Sequence, residues 1–410
     1  MRATARRLAR PVIRFVELES SSSILLLGAT IIALVWANSP WSSTYTDLLH
    51  RSVVVGTGSN ALHLTVHEIV DDALMAVFFL VVGLEIKREF VQGELRDRRT
   101  AALPILAALG GMAVPALLYF VINAGTPASH GWGIPMATDI AFALGVVAAF
   151  GRRLPPSLRL FLLSLAVVDD LGAIVVIAVF YSSSVSFSWL VAAVGVLALL
   201  LVLRALRIAT IVPYLVVGLV AWYCMFRSGV HATIAGVAVG LLIPLAPVRR
   251  DGTGGSLATR LEDHLHPWTS YLIIPVFALA NAGVALGGGA IVDTVTSRVG
   301  LGVIVGLVVG KAIGVGGASL LAVRLGVANR PTGTSTVHLL GAALVAGIGF
   351  TVSLFVAQLA FTDPALTETA RLSVLLASAT AAILAFATFG VSARRQRAVV
   401  DESASDADVA

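Results

Sequence analysis

Two adjacent aspartates, Asp169 and Asp170, lie about ten residues into an apolar stretch, 160–181, that holds no other charge. At ~1.5 Å per helical residue they sit roughly 15 Å deep, near the middle of a ~30 Å hydrocarbon layer. An Asp at that depth costs about 2.5–3.5 kcal/mol to insert, so a contiguous pair implies a chemical use. Two more charges interrupt apolar runs: Asp139, within 134–143, and Lys311, within 309–314. Helical neighbours project ~100° apart, so the two aspartates cannot share one partner. One can pair with Lys311 while the other faces a water-filled cavity. Two carboxylates at low dielectric repel each other and lose hydration, so the pair holds protons or a small hard cation and is costly with neither. Competition of proton and cation for one site is the chemistry of ion exchange. The plain alternative is a set of structural intramembrane ion pairs. Lysine usage speaks against it: of 28 basic residues only Lys87 and Lys311 are lysine, the compact cation able to lose its proton.

The elements that must position these groups are membrane spans. The 410 residues are 58% hydrophobic and 12% charged, with a mean hydropathy of +0.94. A soluble domain carries about a quarter charged residues, so the chain is expected to be an all-α polytopic membrane protein. Apolar runs recur near 24–37, 73–84, 101–122, 134–150, 160–181, 189–203, 208–226, 229–246, 268–286, 300–322, 336–361 and 372–390, which predicts twelve transmembrane helices. Alternate connections carry 23 Lys/Arg and the others 4, a bias that puts both termini in the cytoplasm. The same placement explains the basic pI without nucleic acid. A single cysteine, Cys224, offers neither disulfide nor metal spacing. Residues 1–20 read as a cytoplasmic N-terminal segment, 21–390 as one transmembrane domain and 391–410 as a disordered cytoplasmic tail. Period-2 apolar residues flank a Gly-rich turn over 52–66 and read as a β-hairpin outside the membrane.

Two spans carry breaks. Pro135, four residues before Asp139, removes a backbone hydrogen bond in the fourth span. Gly347-Ile348-Gly349-Phe350-Thr351 offers a second flexible point in the eleventh. Spans 3–5 and 10–12 enter from opposite sides, so the breaks fall at corresponding positions of inverted triplets. A broken helix exposes half-charges within the membrane, its N-terminal end favouring an anion and its C-terminal end a cation; Asp139 and Lys311 suit such ends.

Several segments together resemble the NhaA family of bacterial sodium/proton antiporters. They are Ala73–Leu80 with Gly83–Glu89, Ala137–Gly145, Val168–Ile174, Ser228–Thr233, Leu265–Trp268 and Gly347–Thr351, in order over roughly 17–390. The resemblance implies inverted-topology repeats with two discontinuous helices crossing near the aspartates, an arrangement known for secondary transporters, the NhaA family among them. It implies that Asp169 and Asp170 bind the cation (Na⁺ or Li⁺) and the protons, that Lys311 pairs with Asp169, and that Thr138 and Asp139 compensate helix ends and help position the ion. It further implies a bacterial inner membrane, homodimers through the outer hairpin and regulation by pH at a cytoplasmic funnel. Glu85, Arg88 and Glu262 are the funnel candidates. His231 titrates in the right range for a sensor but falls near the outer face beside Arg227.

The expected function is secondary active transport, with cytoplasmic Na⁺ or Li⁺ exchanged for external H⁺ and no enzymatic step or cofactor. If both aspartates load protons, two protons replace one Na⁺ and one net charge enters per cycle. A sodium-coupled solute symporter of similar fold is the main alternative, although few Asn, Gln or Tyr occur in the spans. An intramembrane aspartyl protease would draw its two aspartates from separate helices, and a passive channel would show no counter-flux.

Overall fold

The computed structural model describes residues 21–55, 62–182, 185–245 and 256–409. The expected cytoplasmic segment 1–20 and the turn of the hairpin lie outside them. The chain begins with α1 (Ser21–Ala37), which bends by 114° into the short α2 (Ser42–Leu49). Strands β1 (Ser52–Val55) and β2 (Leu62–Thr65) then pair antiparallel, from Ser52 opposite Thr65 to Val55 opposite Leu62. The rest is helical. In order come α3 (Val66–Glu68), α4 (Met75–Gln92), α5 (Arg98–Ile122), α6 (Ile140–Ala149) and α7 (Pro156–Phe180). Next are α8 (Phe187–Ala205), α9 (Ile211–Ser228), α10 (Thr233–Leu242), α11 (Leu257–Trp268) and α12 (Ile274–Asn281). The last six are α13 (Ala290–Thr296), α14 (Arg298–Val305), α15 (Lys311–Arg324), α16 (Thr336–Val345), α17 (Phe350–Ala360) and α18 (Pro364–Val409).

Among the described residues six helices are long and apolar enough to cross a membrane, and nine spans result if each bent pair counts as one. The predicted twelve exceeds that count for physical reasons. The run at 73–84 lies in α4, which carries four charges over its last eight residues, Glu85, Lys87, Arg88 and Glu89. The run at 229–246 yields only the ten residues of α10, and that at 268–286 is divided between α11, a wide turn and α12. Large apolar side chains stay exposed along α8 and α9, such as Val191, Val194, Leu201, Val216 and Leu219. A lipid-facing helix requires this, because hydrocarbon is no worse a neighbour for valine than protein is. Helix α18 continues through residues 391–409, where Ala, Arg, Gln and Glu alternate with weaker helix formers.

Both expected breaks are present. The tight helical segment Pro127–Met136 and α6 meet at 44° across Ala137-Thr138-Asp139, and α16 and α17 meet at 44° across Ala346–Gly349. Each bent pair lies between long helical segments in the chain, α5 and α7 for the first, α14–α15 and α18 for the second. The backbone N–H of Asp139 donates to the Ile348 carbonyl at 2.7 Å, joining the two breaks directly. Close helix approaches hold the partners of this crossing. A Cβ on Gly110 of α5 would lie 2.4 Å from the Gly314 carbonyl oxygen of α15, so only glycine lets the helix of Lys311 come so near. The end of the bundle at which the last turns of α4 reach α10 and α11 through Lys87 and Arg88 is called the basic end, and the end at which α4 follows the strands the hairpin end. Wide π-turns at Thr269–Ile273 and Gly306–Gly310 precede α12 and α15. Such turns re-aim the side chains that follow, and here Lys311 is the first residue after one.

Candidate functional site

The crossing leaves four helix ends without intrahelical partners, and the site is built from their compensation. The N-termini of α6 and α17 meet at Asp139. Its Oδ1 accepts the Phe142 N–H at 3.0 Å, and its Oδ2 accepts both the Thr351 N–H at 3.1 Å and the Thr351 hydroxyl at 2.6 Å. One carboxylate thus serves two positive ends, where an anion is favoured. The C-terminal end of α16 meets Thr138, whose Oγ1 is 2.8 Å from the Ala346 carbonyl oxygen and 2.7 Å from Asp169 Oδ2. A hydroxyl carries one proton, so Thr138 donates to one of these acceptors at a time.

Asp169 and Asp170 point to different surroundings, as their ~100° offset requires. Lys311 Nζ donates to Asp169 Oδ2 at 2.7 Å and to Thr138 Oγ1 at 3.1 Å. Lys311 is 0% exposed and Asp169 1%, so this ion pair has no access to solvent. Asp170, 3% exposed, lines a cavity together with Thr138, Asp139 and Thr351 from the crossing. Glu85, His266 and Ser270 continue the lining toward the basic end. Among the described residues Asp170 Oδ1 has no hydrogen-bond partner. A buried carboxylate oxygen with no donor is expensive, and either a proton or a cation relieves it. Four oxygen-bearing side chains around one small cavity suit a hard cation.

At the basic end the predicted Glu85, Arg88 and Glu262 are brought together. Arg88 Nη1 donates to Glu262 Oε1 in a close contact, and its Nη2 lies 3.8 Å from Glu85 Oε1. Glu262 is in α11, ahead of the ninth apolar run, and is 3% exposed. Burial pushes its carboxyl up to about 7, Arg88 pulls it back down, and Glu85 adds to the rise. His231 is not brought there. It lies in the connection between α9 and α10, at the hairpin end, with Nε2 2.8 Å from the Tyr181 carbonyl oxygen. Burial pushes its ring below the ordinary imidazole value and so favours the neutral form, and the bond to Tyr181 offsets this only in part.

Thr351 is the contributor that residue-by-residue reading of the sequence passed over: a single hydroxyl in an apolar run is unremarkable, and its partner Asp139 is 212 positions away. Glu89 is 7% exposed. Its Oε1 accepts from Ser164 of α7 at 2.9 Å and from the Glu94 N–H at 3.1 Å, tying the basic end of α4 to the helix of the aspartates. Lys87, the other lysine, donates to the Leu241 carbonyl at 2.8 Å and to that of Ile243, closing the C-terminal end of α10.

Comparison with known proteins gives a consistent result. A family model described as Na⁺/H⁺ antiporter 1 matches residues 13–389. The Na(+)/H(+) antiporter NhaA 3 of Frankia alni is 45% identical, over 93% of this chain and 89% of its own length. The NhaA antiporter of Oleidesulfovibrio alaskensis is 46% identical over 91% and 92%, and that of Pseudomonas putida strain GB-1 is 47% identical over 94% and 98%. Each is named for exchange of Na⁺ and H⁺, and the solute-symporter alternative finds no support among them.

Proposed function

This chain belongs to the Na⁺/H⁺ antiporter 1 family and exchanges Na⁺ for H⁺ across a membrane, and we propose that Asp170, with Asp169 behind it, is where the two ions compete. The observation that carries this reading is the buried, partnerless Oδ1 of Asp170 at the wall of a cavity shared with Thr138, Asp139 and Thr351. Protons neutralise that oxygen, or Na⁺ (or Li⁺) does, and the oxygens of Thr138, Asp139 and Thr351 complete a hard-cation shell. The cation displaces protons at alkaline internal pH, and protons displace the cation once the site faces outward.

The basic end is the cytoplasmic one, by the side preference of Lys and Arg, so both termini are cytoplasmic. The bent pairs reorient between the two faces while their end charges remain compensated by Asp139 and Lys311. Two protons return for each Na⁺. The second is carried by Asp169, which takes it up as its pairing with Lys311 breaks and gives it up as the pair re-forms, or by Lys311, which gives it up as the pair breaks and regains it as the pair re-forms. One net charge then enters per cycle, and the membrane potential drives it with about 2.3 kcal/mol per 100 mV. Glu85, Arg88 and Glu262 set the pH response at the cytoplasmic entrance, where a carboxyl titrating at about 7 makes or breaks an ion pair. Homodimers form through the outer hairpin, whose two strands keep free edges.

In inside-out vesicles, Asp170→Asn abolishes Na⁺-dependent proton release at every pH from about 6.5 to 8.5. Normal exchange by that variant would remove Asp170 from the site.

A further inference from the structure

We propose that His338 is a positioning residue that pins α16, the basic-end half of the second bent pair, to α18, and that it does so only as a neutral imidazole. Its ring has both nitrogens committed. The Ser335 N–H donates to Nδ1 at 3.1 Å while the His338 N–H donates to Ser335 Oγ at 3.3 Å, a reciprocal box that opens α16. Nε2 lies 2.9 Å from Ser392 Oγ on α18, 54 positions along the chain. An Nδ1 that accepts from a backbone N–H carries no proton, so the neutral ring's proton resides on Nε2 and is donated to Ser392. The tautomer follows from the bonds.

A second proton has no place here. It would set Nδ1–H against the Ser335 N–H, and its charge would lie in the first turn of a helix, where the dipole disfavours a cation. His338 is 2% exposed and Ser392 7%, so water does not replace the lost bond without movement. No carboxylate compensates among the described residues. The packed helices carry Lys311 and Arg324 on α15 and Arg159, Asp169 and Asp170 on α7; Lys311 and the two aspartates belong to the crossing, Arg159 bonds the Gly151 carbonyl, and Arg330, in the connection before α16, bonds Thr336 Oγ1 at 3.2 Å. Helix α18 has no charged residue between Arg371 and Ser392. On acidification the ring therefore leaves the box or the box opens.

The consequence reaches the crossing because α16 is ten residues, ~15 Å, of stiff helix. Its far end presents the Ala346 carbonyl to Thr138, and the Ile348 carbonyl that follows takes the Asp139 N–H. Loosening one end of α16 changes the placement of the other. The clasp stands on these bonds alone, and only its effect on transport rests on the exchange reading above.

The test uses the full chain, purified and in proteoliposomes, with His338→Gln and Ser392→Ala. Glutamine at this position of a helix start preserves the reciprocal box and does not titrate. From pH ~8 to ~5.5 the thermal midpoint of the wild type falls by about 2–4 °C more than that of His338→Gln. Ser392→Ala starts lower at pH ~8 and falls at least as steeply as wild type, because the bond lost to acid is the one from the Ser335 N–H to Nδ1, which that variant keeps. At the acid end His338→Gln exchanges Na⁺ several-fold faster than wild type, and at alkaline pH the two agree within about twofold. Parallel melting curves for wild type and His338→Gln overturn the clasp whatever the transport rates. Altered melting with unaltered exchange confirms the bonds but overturns His338 as a positioning residue. Absence of Na⁺ exchange in the wild type counts against the proposed function, and the melting curves still decide the clasp.

Discussion

Two polar clusters, one at the crossing and one near the hairpin, are built on opposite principles. Near the hairpin, both side-chain polar atoms of Asn281, at the end of α12, have partners. Its Nδ2 donates to Asp71 Oδ1 at 2.9 Å, its Oδ1 accepts from Arg371 Nη2 at 2.8 Å and from Gln358, and its carbonyl accepts Arg371 Nε at 2.9 Å. His67 adds a contact to Asp71 at 3.2 Å. Groups from the wide turn Ile69–Leu74 ahead of α4, from α12, α17 and α18 are thereby locked to one another. At the crossing and toward the basic end, Asp170 Oδ1 and Glu262 Oε2 are buried with no hydrogen-bond partner among the described residues. A saturated network holds one arrangement, because every alternative loses a bond; an unsaturated carboxylate is ready for an incoming ion. The difference separates a group that fixes structure from one that takes cargo.

Removing a member from each cluster breaks the comparison if it is wrong. Arg371→Met strips three donations from the knot, to the Asn281 carbonyl, Asn281 Oδ1 and the Ala280 carbonyl. With bonds from a charged donor worth ~1.5–3 kcal/mol each but partly redundant, the expected loss is about 3 kcal/mol of stability, read as a lower thermal midpoint in detergent. Protein that remains folded keeps its Na⁺-dependent exchange. Asp170→Asn has the reverse signature. The amide is the same size and uncharged, so relief of a buried carboxylate leaves the thermal midpoint equal to wild type or raises it by about 1 kcal/mol equivalent, while exchange is lost. A destabilisation by Asp170→Asn as large as that of Arg371→Met would show that Asp170 is a structural residue and the contrast false.

How much of this was legible in the sequence follows the same division. Asp139, Asp169, Asp170 and Lys311 stand out because charge inside an apolar run is rare, and Pro135 marks one of the two breaks by its chemistry. Their mutual geometry was partly legible: the ~100° offset separates the aspartates, but which of them takes Lys311 is decided by how α7 and α15 each pack against α5. Bonds to carbonyls and hydroxyls left no trace, since the Ala346 carbonyl and Thr351 carry no distinctive side-chain pattern and lie more than 200 positions from their partners. The knot was half legible, because Asn281 and Gln358 are among the few amides in the spans, whereas their convergence with Asp71 and Arg371 is a property of the fold.

The smallest expected effect concerns Glu262, which belongs to both principles at once. It is bonded to Arg88 through Oε1 and has a partnerless Oε2. Its carboxyl, raised from 4.5 to about 7 chiefly by burial, binds its proton more tightly folded than unfolded. Folding therefore gains from protonation: the contribution is fully present below about 4.5 and is lost as pH rises through about 7. Glu262→Gln removes that dependence, so the variant's thermal midpoint declines less than wild type between those pH values, with a difference of about 1–2 °C. In transport the sign is opposite. The Arg88–Glu262 ion pair exists only when the carboxylate is charged, so if it gates the entrance, the wild-type exchange rate changes through about pH 7 and that of Glu262→Gln changes less. Exchange rates in proteoliposomes across this window separate the two roles. A variant that alters melting while reproducing the wild-type pH profile of exchange places Glu262 with the knot, among the residues that hold structure, and leaves the pH response to other groups.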